Sequence, residues 1–239
     1  MPETFVLIPG AWVGGWAWRP VAQRLRAAGH RALALTLPGL TDGEDPRELR
    51  LSHAVDYVVG ELRRRDLRGI TLVAHSWGGF PVSGVAHQVP DRVRRLIYWN
   101  AFVPQDGRSV LEEIPPHHAA VFTQLAEASG NNSITLPYEA WQQSFFQDAK
   151  EPVRRLVHSL LVPQPFGYFT DGLDIPPVSS FGIPASYVFS TEDLALPPGE
   201  LGWNPRFPDR LGVTAIEVPG SHESCLTRPY ELADALLKA

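Results

Sequence analysis

The stretch Leu72-Val73-Ala74-His75-Ser76-Trp77-Gly78-Gly79 decides how this chain is read. It is entered through an apolar run from Ile70 to Ala74, short and without polar alternation, as in a strand buried on both faces. Beyond the two glycines a helical segment runs towards Gln88. A strand, a serine and a helix in immediate succession put Ser76 on a sharp turn at the carboxyl end of the strand. Small residues two before and two after the serine let strand and helix approach closely, and Ala74 takes the first of those places. A serine so presented is placed for nucleophilic attack. The backbone N–H of Trp77 is placed to meet the negative charge that develops on an attacked carbonyl.

Five more runs of the same kind flank this one: Thr4–Ile8, Arg31–Leu37, Arg95–Ala101, Ala185–Ser190 and Thr214–Val218. Helical patterns lie between them over Trp16–Ala28, Ser52–Arg65 and Tyr230–Leu237. The alternation predicts an α/β chain with a doubly wound, mostly parallel sheet of about six strands. It lapses between Val103 and Gly182, a stretch rich in proline and aromatic residues with helical patches near Val110–Ser129 and Ala140–Ser159. A bare loop of that length is improbable in a compact domain. The expectation is a core made of residues 1–102 and 183–239, with residues 103–182 inserted after the fourth strand as a helical cap.

A nucleophilic serine needs a base, and the base needs an orienting acid. His222, in Pro219-Gly220-Ser221-His222, follows the last strand and precedes the last helix, the third place in the order Ser, acid, His. The fifth run ends in Thr191-Glu192-Asp193; Asp193 is taken as the acid, with Glu192 as its rival. The fourth run ends at Asn100-Ala101, without an acid. His75 is read as structural, and His117-His118 as solvated or pocket-lining. The loop Ile8-Pro9-Gly10-Ala11-Trp12-Val13-Gly14-Gly15-Trp16 supplies a second oxyanion donor, the N–H of Ala11; it lacks the Lys-Ser/Thr of a phosphate loop.

Composition removes other classes. With 44% hydrophobic and 20% charged residues, the 239-residue chain is globular rather than disordered. A net charge of −5 offers no basic surface, so nucleic acid is not an expected partner. A single cysteine, Cys225, excludes an internal disulfide. The apolar run Phe5–Trp18 is broken by Pro9 and glycines and has no cationic start, so a cytoplasmic protein without a membrane partner is expected.

Together these residues resemble an α/β-hydrolase of the plant methylesterase and hydroxynitrile-lyase group, with its bacterial homologues, nearly end to end. The carriers are Pro9-Gly10-Ala11-Trp12 with Gly15-Trp16-Ala17-Trp18; Ala74-His75-Ser76-Trp77-Gly78-Gly79; and Ala101-Phe102-Val103-Pro104. Thr191-Glu192-Asp193 with Pro197, and Glu217-Val218-x-Gly220-x-His222 with Leu226 and Pro229, complete them. The resemblance implies a triad of Ser76, Asp193 and His222, oxyanion donors Ala11 and Trp77, and neither a metal nor an organic cofactor. Pro9 and Val13 stand where the group usually has histidines. Glu223 stands where its lyases place a lysine, which favours ester cleavage over cyanohydrin cleavage.

The expected function is a serine hydrolase that cleaves a carboxylic ester of a small hydrophobic or aromatic substrate through an acyl-enzyme. Two alternatives stand beside it: a thioesterase, lactone-handling or cyclising enzyme of a biosynthetic pathway, and a ligand receptor that retains the triad. The pocket is expected to be apolar, with Trp12, Phe102, Trp141 and Phe166 against the substrate. The partner is a small molecule, and the protein assembly considered is a homodimer.

Overall fold

A computed structural model describes residues 1–239. The strands β1 (Thr4–Ile8), β2 (Arg31–Ala34), β3 (Ile70–Ser76) and β4 (Val93–Ala101) come first, joined through α1 (Arg19–Ala27), α2 (Leu51–Arg64) and α3 (Gly79–Gln88). The chain then leaves the sheet. The segment that follows holds α4 (Val110–Glu113), α5 (Pro116–Ser129), α6 (Tyr138–Ala140), α7 (Glu151–His158) and α8 (Gly167–Thr170). It also holds an antiparallel ribbon of β5 (Ser133–Ile134) and β6 (Gln164–Pro165). The sheet resumes with β7 (Ala185–Ser190) and β8 (Ile216–Val218), and α9 (Arg206–Leu211), α10 (Ser224–Thr227) and α11 (Pro229–Lys238) complete the chain.

The six main strands lie in the order β2-β1-β3-β4-β7-β8, every pair parallel. Alternate residues face opposite sides, as the pleat requires. Phe5, Leu7, Val73, Ile97, Trp99 and Val188 pack with α1 and α11, while Val6, Ile8, Leu72, Leu96 and Tyr98 pack with α2, α3 and the cap. Burial on both faces explains why these strands read as continuous apolar runs. Chain order reverses between β1 and β3, and their pairing brings Ile8 opposite Ala74. The loop after β1 and the turn after β3 therefore open side by side at the carboxyl edge, where ligands of open α/β sheets bind.

The cap differs from a purely helical one. Its first helical patch breaks at Pro115-Pro116: a residue before proline is pushed out of the helical region, and Pro116 then starts α5 at its first position. Trp141–Phe145 winds as a wide π-turn, and the β5–β6 ribbon crosses the cap.

Candidate active site

Ser76 ends β3 with φ of 52°, in the left-handed region that a non-glycine residue occupies at a cost. The surroundings leave no alternative. A Cβ on Gly79 would stand 1.9 Å from the Phe102 carbonyl oxygen, and one on Gly78 2.6 Å from that of Pro9. The helix can start this close to β1 and β4 only with glycine there. The backbone N–H groups of Ala11 and Trp77 donate to no protein acceptor. Both residues line one cavity together with Ser76. Two free N–H groups beside a serine form an anion-binding pair.

His222 lies in the loop after β8, and its Nδ1 is 2.5 Å from Asp193 Oδ2. Asp193 is tied at both oxygens. Its Oδ1 accepts the Ala195 N–H at 2.8 Å, and its Oδ2 also accepts from the Asn100 amide. Glu192, the rival acid, points elsewhere and accepts the Gly220 N–H at 3.1 Å. Asn100, at the end of β4 with φ of 37°, is a member of the site that the sequence reading passed over as the place with no acid. Its Oδ1 accepts the Ser190 N–H at 2.7 Å, so one amide links β4, β7 and the carboxylate.

The His222 ring is held on three sides. Trp203 stacks on it at 5.5 Å, Phe145 meets it edge-on at 5.2 Å, and His75 packs against it at 4.6 Å. Burial works against charge on this ring, but the Asp193 carboxylate, and then Glu223, outweigh it and hold the imidazole above its ordinary value. His75 itself is buried, its Nε2 is 3.0 Å from the His222 carbonyl oxygen, and burial with the His222 charge holds it well below the ordinary range. It is a structural prop of the base.

The cavity measures about 170 Å³, and 16 of its 20 lining residues are hydrophobic. Ala11, Trp12, Ser76, Trp77 and Phe102 line it. Trp141 and Phe166 do not, and are corrected here. Trp141 turns into the cap, where its indole N–H finds the Arg154 carbonyl at 3.1 Å, a partner a buried indole requires. Phe166 sits at the entry to α8 and packs outside the cavity. Their places are taken by Phe145, four residues on along the π-turn, and Phe169, three residues on, with Trp203 from the core. His118 is the histidine of the cap pair that reaches the cavity.

Glu223 follows His222 in the same loop. It is buried, but its carboxylate turns away from the cavity and accepts from the Cys225 thiol at 3.7 Å. Burial pushes its carboxyl up to about 7, against the pull of His222. It bears on the site through His222 rather than through the substrate. His75, His222 and Glu223 bring a potential ligand atom each within 4.8 Å of one another. His75 Nε2, His222 Nδ1 and Glu223 Oε2 already have the protein partners named above.

The alpha/beta hydrolase family model matches residues 5–235. A carbendazim hydrolyzing esterase of Nocardioides sp. (strain SG-4G) is 28% identical over 97% of both chains. Salicylic acid-binding protein 2 of Nicotiana tabacum is 28% identical over 98% of this chain and 95% of its own. An extracellular alpha/beta-hydrolase from a Paenibacillus species, described as a structural and functional homologue of the tobacco protein, superposes with a TM-score of 0.96. It is 34% identical and covers 100% of this chain and 99% of its own. No helix of this chain is long and apolar enough to cross a membrane. The chain belongs to the alpha/beta hydrolase family, in the group of the plant methylesterases, hydroxynitrile lyase and their bacterial homologues, and is a carboxylic ester hydrolase.

Proposed function

We propose that Ser76, His222 and Asp193 hydrolyse a neutral ester of a small hydrophobic or aromatic substrate through an acyl-enzyme. The observation that carries this reading is the pair of unpartnered N–H groups, Ala11 and Trp77, beside Ser76 on the wall of an apolar cavity. The Ser76 hydroxyl attacks the ester carbonyl carbon while His222 Nε2 takes its proton. Asp193 holds the proton-bearing Nδ1 and stabilises the imidazolium. The two N–H groups hold the oxyanion, and the alcohol leaves with the proton from His222. Water, deprotonated by the same ring, then releases the acid and restores Ser76. No lysine or arginine lines the cavity, which supports a neutral substrate and disfavours cyanide as a leaving anion.

Two measurements test this. A fluorophosphonate probe should label Ser76 alone. Methyl and aryl esters should turn over while mandelonitrile stays at background; label on another serine, or comparable mandelonitrile cleavage, refutes the reading. We also place the protein in the cytoplasm, with a small molecule as its partner; recovery of activity outside intact cells would instead match the extracellular Paenibacillus neighbour.

A further inference from the structure

Trp12, after Ser76 and Asn100, is the third core residue of the site with a left-handed backbone. Its φ is 63°, in the left-handed region where a bulky side chain is a genuine outlier. Such strain persists only where the surroundings over-determine it. Here the restraint comes from the cap. The Trp12 N–H donates to Gln164 Oε1 at 3.0 Å. The Trp12 carbonyl accepts the Val162 N–H at 3.0 Å. The indole Nε1 donates to the Ile134 carbonyl at 2.9 Å. Ile134 and Gln164 are paired residues of the β5–β6 ribbon. Two of the three polar groups of this core residue are thus held by the ribbon, and the third by Val162, two residues before it.

Gln164 is wholly buried, and its other amide atom, Nε2, has no hydrogen-bond partner. A buried amide left half unsatisfied is costly, and an apolar side chain of the same size would avoid that cost. What glutamine supplies there is the acceptor for Trp12. The peptide it pins, between Ala11 and Trp12, adjoins the one whose N–H is the unpartnered donor of Ala11. Without the acceptor the Trp12 N–H would be buried and unpaired, and the loop would relax out of the left-handed conformation.

We propose that Gln164 is a positioning residue, through which the β5–β6 ribbon of the cap fixes the oxyanion loop of the core and thereby sets the rate of the chemical step. The inference rests on the ester-hydrolase reading above, since it needs the Ala11 N–H to meet an oxyanion. It assigns the cap a part in turnover as well as in substrate choice.

The test is the pair Gln164→Met, similar in size without the acceptor, and Gln164→Glu, which keeps it. Turnover is measured on p-nitrophenyl acetate and on a bulky aryl ester, with the dissociation constant of an aryl trifluoromethyl ketone, which forms a tetrahedral oxyanion on the serine. Removing one oxyanion donor outright costs about 100-fold to 1,000-fold. A displaced donor should cost Gln164→Met about 10-fold to 100-fold in kcat on both esters, with KM unchanged and the ketone weakened by the same factor. Gln164→Glu should keep at least a third of the parent kcat.

The inference is overturned by a parent-like kcat in folded Gln164→Met. It is equally overturned by a loss confined to the bulky ester, or one carried by KM, either of which makes Gln164 part of the pocket wall. Should Gln164→Met not fold, Gln164→Glu decides: loss of kcat in a folded protein that keeps the acceptor refutes the proposal. Ser76→Ala, run alongside, separates the two levels. If that variant retains turnover, the ester-hydrolase reading fails; if it is inactive and Gln164→Met is not impaired, only the role of Gln164 fails.

Discussion

The core and the cap build the two walls of one cavity by different means. The core places Ser76, Asp193 and His222 with an all-parallel sheet buried on both faces, so hydrophobic burial fixes its loops. The cap joins that apolar core through residues such as Ile114, Leu136, Trp141, Phe146 and Tyr168, but its longest helix adds little: among the fourteen residues of α5 only Ala126 is buried. It is also held to the core by single polar side chains. Glu113 of α4, wholly buried, is bound by Arg206 and by Arg210 at 2.9 Å, and so anchors the α9 segment just beyond Trp203. Asp148 accepts from the Ser221 and Thr227 hydroxyls at 2.7 Å and steadies the loop of His222. Gln164 holds Trp12. Each of these contacts lands on or beside a core loop that carries the site. A sheet sets where functional groups emerge, and directed hydrogen bonds from a second unit set how they are aimed. The two are separable by mutation.

Damage to the core machinery should be the largest effect and indifferent to the substrate. Ser76→Ala should lower kcat by about 10,000-fold or more on every ester, leaving a residue of rate from binding and the oxyanion pair. Asp193→Asn should follow at about 1,000-fold to 10,000-fold by leaving His222 in the wrong tautomer, with Glu192→Gln near the parent enzyme. The reverse ranking in steady-state assays would show that the acid lies one residue earlier.

Glu113→Gln probes the join between the two units. It leaves Arg206 and Arg210 facing a neutral partner, and urea denaturation should show a loss of about 3 kcal/mol. A loss below about 1 kcal/mol would reduce the cluster to the level of a surface pair. Cap side chains on the cavity wall should act on selectivity. Phe169→Ala should lower kcat/KM for a bulky aryl ester about 10-fold more than for an acetate, while equal losses on both would make Phe169 mere packing.

The smallest effect expected is on pH dependence. His222 is active when neutral, and Asp193 and Glu223 raise its affinity for the proton. The acidic limb of kcat/KM should therefore fall above the ordinary histidine value, with activity rising as pH increases through it. Glu223→Gln removes a negative charge, lowers the proton affinity of the ring and should move that limb to lower pH. An unmoved limb would separate Glu223 from the base and leave it a packing residue.

The six strands and the places of Ser76, His222 and Asp193 were legible in the sequence because they depend on local signals. These are apolar runs of strand length, glycines where two backbones must touch, and a fixed order along the chain. Asn100 escaped that reading because its role exists only once β4 and β7 are neighbours and its amide spans Ser190 and Asp193. Trp141 and Phe166 were misplaced for a related reason: aromatic content marks a cap, but which rings face the cavity depends on a π-turn and on where an indole N–H finds its acceptor. That Glu223 faces Cys225 rather than the cavity is likewise decided only by the packed loop. The sequence determined the sheet and the turn that presents Ser76. The tertiary structure alone decided which side chains wall the cavity and which buried amide holds Trp12. The first set follows from periodicity and steric need within a few residues. The second follows from contacts between residues such as Trp12 and Gln164, 152 positions apart, which no local pattern records.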